Sequence, residues 1–180
     1  YLKKNLYKKK ILIVTNTLNT KRSKTIIENY KFKKNYKVLS INSNKFYDNE
    51  IIDFYITNNY KRILLEKKHY KRNSKIIMPT QFSYLFKDLK KIELFNFDTE
   101  IVENNFNYKN GNCQIPFDIS IAYILCLINL LKVKKICLIG FDGYQSEDYL
   151  QYQMENFLKI YNKNSRIKLN FLTSSSYNNR

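Results

Sequence analysis

Two short segments of almost unbroken apolar residues constrain the fold most: residues 10–15 (KILIVT) and residues 135–139 (KICLI). Strands that are apolar throughout, rather than at every second position, are typical of parallel sheets that helices cover on both faces. Each of the two runs is followed by a polar turn and then by a helical pattern. The sequence therefore predicts an α/β fold with a mostly parallel sheet buried between helices.

The order of the other segments favours the same architecture. A helical pattern at residues 21–30 and an apolar strand at 37–41 complete a β-α-β unit after the first strand. The Asn-rich segment 103–114 is predicted to be a loop. The expected fold is a Rossmann-like three-layer sandwich, with residues 1–180 as a single domain. Further strands are predicted over residues 51–57, 76–78, 92–97 and 167–172, and helices over residues 60–67, 117–132 and 148–161.

The chain is strongly basic, with a formal net charge of +17 from 32 Lys and Arg against 15 Asp and Glu. Such a charge is typical of chains that bind nucleic acid, an acidic membrane surface or a phosphorylated ligand. Here Lys, Asn, Ile, Tyr and Phe are all abundant while Gly, Pro and Trp are scarce, which is the pattern of AT-rich codons. The basic residues are also spread along the chain, so we do not expect nucleic acid as a partner.

Cysteine and histidine usage excludes several kinds of site. The three cysteines (Cys113, Cys126 and Cys137) show no CxxC spacing, and their odd number argues against a full disulfide framework, so we expect a cytoplasmic protein. The single histidine, His69, has no partner for a zinc site, and we expect no metal and no cofactor. The longest apolar stretch, residues 119–131, is too short to span a membrane.

Polar residues follow three of the predicted strands and are the candidate ligand-binding residues. Ligands of open parallel sheets bind beyond the carboxyl ends of the strands, so we expect these three segments to meet at one crevice. No motif identifies a catalytic residue. The candidates are Thr15, Asn16 and Thr17 after the first strand, Asn42 and Asn44 after the second, and Gly140, Asp142, Gly143 and Tyr144 after the strand at 135–139.

The turn at residues 140–144 (GFDGY) is the most specific of the three. Gly140 allows a sharp turn after the buried strand, and Gly143 permits a positive φ or a close backbone approach. Asp142 is placed either to accept hydrogen bonds from a ribose or sugar hydroxyl, or to cap the turn or the next helix. The first turn has no GxGxxG glycines, so it is either a phosphate-binding loop that uses Thr and Asn side chains or an ordinary polar loop.

Nearly the whole chain resembles a known bacterial family, through residues 9–17 and 38–57 and most specifically through its C-terminal part. Residues 115–161 (IPFDISIAYILCLINLLKVKKICLIGFDGYQSEDYLQYQMENFLKIY) combine a proline-led apolar helix, with Asp118 in position to cap it, a strand, the GFDGY turn and a helix containing Gln, Met and Glu. Residues 167–177 (IKLNFLTSSSY) add a last strand and its polar end. This pattern resembles the C-terminal domain of proteins described as 4-hydroxy-2-oxovalerate aldolase-like or HMG-CoA-lyase-like, which occur with surface-polysaccharide genes.

The resemblance implies an accessory domain of cell-surface carbohydrate biosynthesis that binds a nucleotide, a sugar-nucleotide or a phosphorylated sugar. It also implies that this chain is the C-terminal fragment of a longer protein and that an aldolase barrel, a carbon–carbon lyase absent from these residues, is its partner domain. A non-catalytic interaction module is an alternative function.

More remotely, the chain resembles bacterial sialyltransferases that use CMP-sialic acid and the related motility-accessory and pterin-pyrophosphokinase-like domains. The resemblance places Asn42 or Asn44 near the nucleotide and matches the turn at 140–144. The sialyltransferases also need a histidine base after that turn, and this chain has no histidine after His69. A sialyltransferase-like glycosyltransferase is therefore a further alternative function.

Overall fold

The computed structural model describes residues 1–15, 21–87, 91–109, 112–144 and 148–177. Within these ranges the strands are β1 (Lys10–Val14), β2 (Tyr36–Ile41), β3 (Phe54–Ile56), β4 (Lys75–Met78), β5 (Glu93–Asn96), β6 (Asp98–Ile101), β7 (Asn107–Lys109), β8 (Asn112–Ile115), β9 (Lys135–Ile139) and β10 (Leu169–Phe171). The α-helices are α1 (Leu2–Leu6), α2 (Lys21–Glu28), α3 (Tyr60–Glu66), α4 (Ser120–Leu130) and α5 (Tyr149–Asn164). A π-helical turn, Asn29–Lys33, extends α2, and short 3₁₀ segments, Lys67–His69 and Thr80–Phe86, follow α3 and β4.

Seven strands form the main sheet, in the order β10-β9-β1-β2-β3-β4-β5, and every neighbouring pair is parallel. The predicted Rossmann-like three-layer sandwich is confirmed. The strand order reverses at β1, because the chain first winds outward to β5 and later places β9 on the other side of β1. Such a reversal opens a crevice at the carboxyl ends of the two strands beside it, here β1 and β9.

The central strand β1 shows why its sequence is apolar throughout. Ile11 and Ile13 belong to one hydrophobic core, while Leu12 and Val14 belong to a second core on the other face of the sheet. Helices α4 and α5 pack into the first core, and α2 and α3 contribute to the second. A strand covered on both faces has no position for a polar side chain, which explains the unbroken apolar run.

Helix α4 is buried on all sides because it packs between two sheets. Its residues from Ile121 to Ile128 are all buried. On one side lies the main sheet, and on the other a small sheet in which β8 pairs parallel with β6 and antiparallel with β7. Within the described residues, no helix is both long enough and apolar enough to cross a membrane.

The small sheet corrects the prediction that residues 103–114 form a loop. This segment contains β7 and most of β8. Each strand begins with Asn, and the small sheet buries only one of its faces, through Cys113 and Ile115. The alternation that marks a strand extends over only four residues in β8 and three in β7, which is too short to distinguish these strands from a loop. The intervening pair Asn110-Gly111 lies outside the described residues.

The predicted cap of α4 is also wrong. The residue before the helix is Ile119, which provides no side-chain cap, and the helix begins at Ser120 rather than at residue 117. The Asp118 carboxylate instead accepts a hydrogen bond from Asn58, which follows β3. By contrast, the side chain of Asp148 caps α5 by accepting a hydrogen bond from the backbone N–H of Leu150 at 2.8 Å.

Candidate ligand-binding site

A cavity of about 380 Å³ lies at the carboxyl ends of β1, β2 and β9, and it is named here the strand-end cavity. Its place is the crevice that the reversal of strand order opens between β1 and β9. The three predicted polar segments therefore do meet at one site. The predicted residues that line it are Thr15, Asn42, Gly140, Asp142, Gly143 and Tyr144.

The other predicted residues are placed differently. Asn44 does not line the strand-end cavity and is only 2% exposed. Its Oδ1 accepts hydrogen bonds from the backbone N–H groups of Phe46 at 3.0 Å and Tyr47 at 3.1 Å, so Asn44 stabilises the turn that follows β2. Asn16 and Thr17 lie outside the described residues.

Thr15 and Asn42 are held in place by hydrogen bonds between neighbouring strand ends. The Thr15 hydroxyl donates to the carbonyl oxygen of Gly140 at 2.8 Å, which joins the ends of β1 and β9. Asn42 adopts a positive φ of 59°, and its Oδ1 accepts a hydrogen bond from the Thr57 hydroxyl at 2.9 Å. Its amide Nδ2 donates no hydrogen bond to the described residues, and Asn42 lines the cavity.

The turn at residues 140–144 is fixed by both of its glycines. Gly140 has φ 85° and Gly143 has φ 109°, which are values that residues with a Cβ rarely adopt. The carbonyl oxygen of Asp142 accepts a hydrogen bond from the Ser176 N–H at 3.0 Å, and the Tyr144 N–H donates to Gln151 Oε1 at 3.0 Å. The Asp142 carboxylate is exposed and has no hydrogen-bond partner among the described residues, so it caps neither this turn nor α5.

A second set of polar residues, which the sequence did not single out as a site, completes one side of the strand-end cavity. Asn58, only 4% exposed, donates its Nδ2 hydrogen to Asp118 Oδ1 at 2.8 Å. Its Oδ1 accepts a hydrogen bond from the Ser120 hydroxyl at 2.6 Å. Asp118 and Ser120 line the cavity, and Asn58 is buried behind them. Nearby protein atoms limit the hydration of the Asp118 carboxyl and raise its pKa, and the hydrogen bond from Asn58 partly offsets this rise.

Helix α3 contributes an ion pair to the same cavity. Arg62 donates to Glu66 Oε1 at 2.9 Å, and the Arg62 side chain is 61% exposed whereas that of Glu66 is 11% exposed. Glu66 Oε2 accepts hydrogen bonds from the Ser43 hydroxyl at 2.8 Å and from the Ser43 N–H at 3.3 Å. The buried carboxylate therefore connects α3 to the end of β2, while Arg62 reaches toward solvent.

Apolar and aromatic groups supply the rest of the lining. Leu150 and Met154 come from α5, and Tyr177 comes from the segment after β10. Burial raises the pKa of Tyr177 to about 12, so its hydroxyl stays protonated at neutral pH. Tyr144 is 52% exposed and presents an aromatic ring at the site. A mostly apolar surface with a few convergent polar groups is the usual composition of a small-molecule site.

The described residues contain no group of three or more His, Cys, Asp or Glu side chains that could hold a metal ion. Comparison of the chain with protein-family models, with curated proteins and with solved structures finds no match. The resemblance of residues 115–161 to the aldolase-associated domain therefore stays a prediction.

Proposed function

We propose that this chain binds a nucleotide, a sugar-nucleotide or a phosphorylated sugar in the strand-end cavity, as an accessory domain in cell-surface carbohydrate biosynthesis. The observation that carries the proposal is the meeting of polar residues from three strand ends at the reversal of strand order. This is where open α/β sheets bind their ligands. The cavity volume of about 380 Å³ falls within the range of about 300–1,000 Å³ that is usual for small-molecule sites.

The lining offers a group for each part of such a ligand. The exposed ring of Tyr144 provides an apolar face for a base or a sugar ring. The carboxylates of Asp118 and Asp142 and the amide of Asn42 provide hydrogen-bonding groups for hydroxyls or a base edge. Arg62 provides a positive charge for a phosphate at the solvent side.

Binding without group transfer is the function that this lining supports best. His69 lies in the 3₁₀ segment after α3, and the described lining residues of the strand-end cavity include no histidine. A transferase reaction would therefore need Tyr144 or a carboxylate such as Asp142 as its base, and no contact among the described residues of the cavity supports that role for either residue.

A thermal-shift screen against CMP, CMP-sialic acid, UDP-sugars and sugar phosphates tests the proposal. A ligand at one hundred times its Kd stabilises the native state by about 2.7 kcal/mol, so a binder gives a clear rise in the unfolding temperature. The test variant is the double change Asp142→Ala with Asn42→Gly, in which glycine tolerates the positive φ at position 42.

Glu103→Ala is the matched control, because Glu103 is exposed and does not line the cavity. We expect at least one compound to stabilise the wild type and the Glu103→Ala control, and to stabilise the double variant much less. Either the absence of any stabilising compound or full stabilisation of the double variant would contradict the proposal.

A further inference from the structure

The charge of the strand-end cavity is opposite to that of the protein. Its described lining contains the carboxylates of Glu66, Asp118 and Asp142 but a single cation, Arg62, which is already paired with Glu66. The whole chain carries a formal net charge of +17. The net positive charge of the chain would attract phosphate to any part of its surface. The surplus of carboxylates in this cavity therefore needs a different explanation.

A second cavity of similar size shows the contrast within the same molecule. It has a volume of about 390 Å³ and lies between α5 and the edge strand β10. It is named here the edge cavity. Its charged lining consists of Lys159, Arg166 and Lys168 against Glu155. Anions drawn by the net charge of the chain would therefore find more cations in the edge cavity than in the strand-end cavity.

The hydrogen bonds behind Asp118 determine what its side of the cavity offers to a ligand. A carboxylate only accepts hydrogen bonds, so the Asn58 amide must turn its NH₂ group toward Asp118 and its oxygen toward Ser120. The single hydroxyl hydrogen of Ser120 is then used in the bond to Asn58. In this network the Ser120 hydroxyl donates to Asn58, and Asn58 in turn donates to Asp118.

Apart from the backbone N–H groups at the uncapped start of α4, what remains on the cavity side of this network is a set of acceptors. Asp118 Oδ2 has no hydrogen-bond partner among the described residues, and the Ser120 oxygen keeps its lone pairs. A group that binds the Asp118 and Ser120 side chains must supply hydrogen-bond donors. Phosphate at neutral pH is mainly an acceptor and carries negative charge, so it fits the Asp118 carboxylate poorly. The positive charge of the chain in turn disfavours a cationic ligand.

We propose that Asp118 and Ser120 form a hydroxyl-recognition wall, which binds neighbouring hydroxyl groups of a ribose or sugar ring and leaves any phosphate of the ligand at Arg62. This inference rests on the proposed function and adds the orientation of the ligand to it. Hydrogen bonds from a hydroxyl to a carboxylate are stronger than those between neutral groups. Asp118 Oδ2, with the Ser120 oxygen beside it, would therefore favour a ligand that carries neighbouring hydroxyls over one that lacks them.

Two matched pairs of compounds test the hydroxyl-recognition wall by isothermal titration calorimetry. The first pair is CMP with 2′,3′-dideoxy-CMP, and the second is glucose 6-phosphate with 2-deoxyglucose 6-phosphate. Inorganic phosphate and spermidine serve as the anion and cation probes. The proteins are the wild type, Asp118→Asn and the control Glu103→Gln. Asparagine keeps an acceptor for Asn58 but replaces one carboxylate oxygen by a donor.

In at least one pair we expect the wild type and Glu103→Gln to bind the hydroxyl-bearing compound about tenfold or more tightly than its deoxy analogue, since one charge-assisted hydrogen bond is lost. We expect Asp118→Asn to lose this preference, and spermidine not to displace the bound compound. Inorganic phosphate should compete only at Arg62 and so leave the preference for the hydroxyl-bearing compound unchanged. The thermal unfolding of Asp118→Asn, compared with that of Glu103→Gln, checks that the variant is folded.

The outcomes separate the two proposals. Binding that does not distinguish the members of either pair, or a preference that persists in Asp118→Asn, overturns the hydroxyl-recognition wall and leaves the proposed function standing. Displacement by spermidine, or a preference for the hydroxyl-bearing compound that inorganic phosphate abolishes, overturns the wall in favour of a cation or an anion site. If no compound binds the wild type, the proposed function fails as well.

Discussion

Ser176 occupies the space that a side chain at position 143 would need: a Cβ added to Gly143 would lie 2.0 Å from Ser176 Oγ and 3.0 Å from Ser176 Cβ. Gly143 also has a φ of 109°. Gly143→Ala is therefore expected to destabilise the protein by at least about 1–3 kcal/mol, through backbone strain and the clash together. Urea unfolding of the variant measures this loss.

The double variant Gly143→Ala with Ser176→Gly separates the two causes. Glycine at position 176 removes both clashing atoms, while the unfavourable φ at position 143 remains. We expect partial recovery of the unfolding free energy. Full recovery would assign the whole loss to the clash, and an unchanged stability of Gly143→Ala itself would show that the turn is not built as described.

Asp53 connects three groups and is expected to contribute more to stability than an ordinary surface charge. Its carboxylate accepts hydrogen bonds from Lys31, from Lys37 at 2.9 Å and from the backbone N–H of Val38 at 2.8 Å. The side chain is only 13% exposed. We expect Asp53→Asn to lower the free energy of unfolding by about 1.5–3 kcal/mol, the contribution of hydrogen bonds to a charged group.

The matched control for Asp53→Asn is Glu28→Gln. Glu28 forms an exposed ion pair with Lys24 at 3.9 Å, and such pairs contribute about 0–1 kcal/mol. Urea unfolding of both variants should give a clearly larger loss for Asp53→Asn. Equal losses would show that the three contacts of Asp53 contribute no more than an exposed pair.

The parts of the fold that the sequence predicted best are those whose pattern follows from burial alone. The sequence predicts the strand over residues 135–139 at its observed bounds because every residue after Lys135 is apolar and buried. The meeting of Asn42 and Asp142 at one cavity followed from a property of all parallel sheets, namely that their carboxyl ends lie at the same edge.

The parts that were missed depend on tertiary contacts. The position of Asp118 after Pro116 predicts a helix cap, but Asn58, a partner 60 residues away in the sequence, determines its role. The pair Asn58-Asn59 follows the third strand just as Asn42 follows the second, so the same rule applied to that strand would have identified this side of the site. The two strands within residues 103–114 differ from the predicted loop because they are three and four residues long, too short for an alternating pattern to be distinctive.

Incubation with CMP-sialic acid is expected to release no CMP above the uncatalysed rate. The described residues of the strand-end cavity include no histidine, and His69 lies outside the cavity. Chromatographic measurement of CMP over time checks this. Release that Asp118→Asn or Asp142→Asn abolishes, and Glu103→Gln does not, would instead make the chain an enzyme with a carboxylate base.

The raised pKa of Asp118 predicts how its replacement changes stability with pH. Burial raises the pKa in the folded state, so folding favours the protonated carboxyl. This favourable contribution is fully present below the unfolded-state pKa of about 3.9 and is lost as the pH rises through the higher folded-state pKa. Asp118→Asn, which is uncharged at every pH, should therefore gain stability relative to the wild type as the pH rises through this window.

Urea unfolding of the two proteins at a series of pH values measures this difference. The other charged groups that line the cavity, Arg62 and Glu66 on α3 and Asp142 after β9, are common to both proteins, so their effects largely cancel in the comparison. A variant that is as stable as the wild type or more stable at neutral pH, yet no longer prefers the hydroxyl-bearing ligand, is the combination expected of a binding carboxylate. A relative loss of stability as the pH rises would instead make Asp118 a structural residue whose charged form the fold requires.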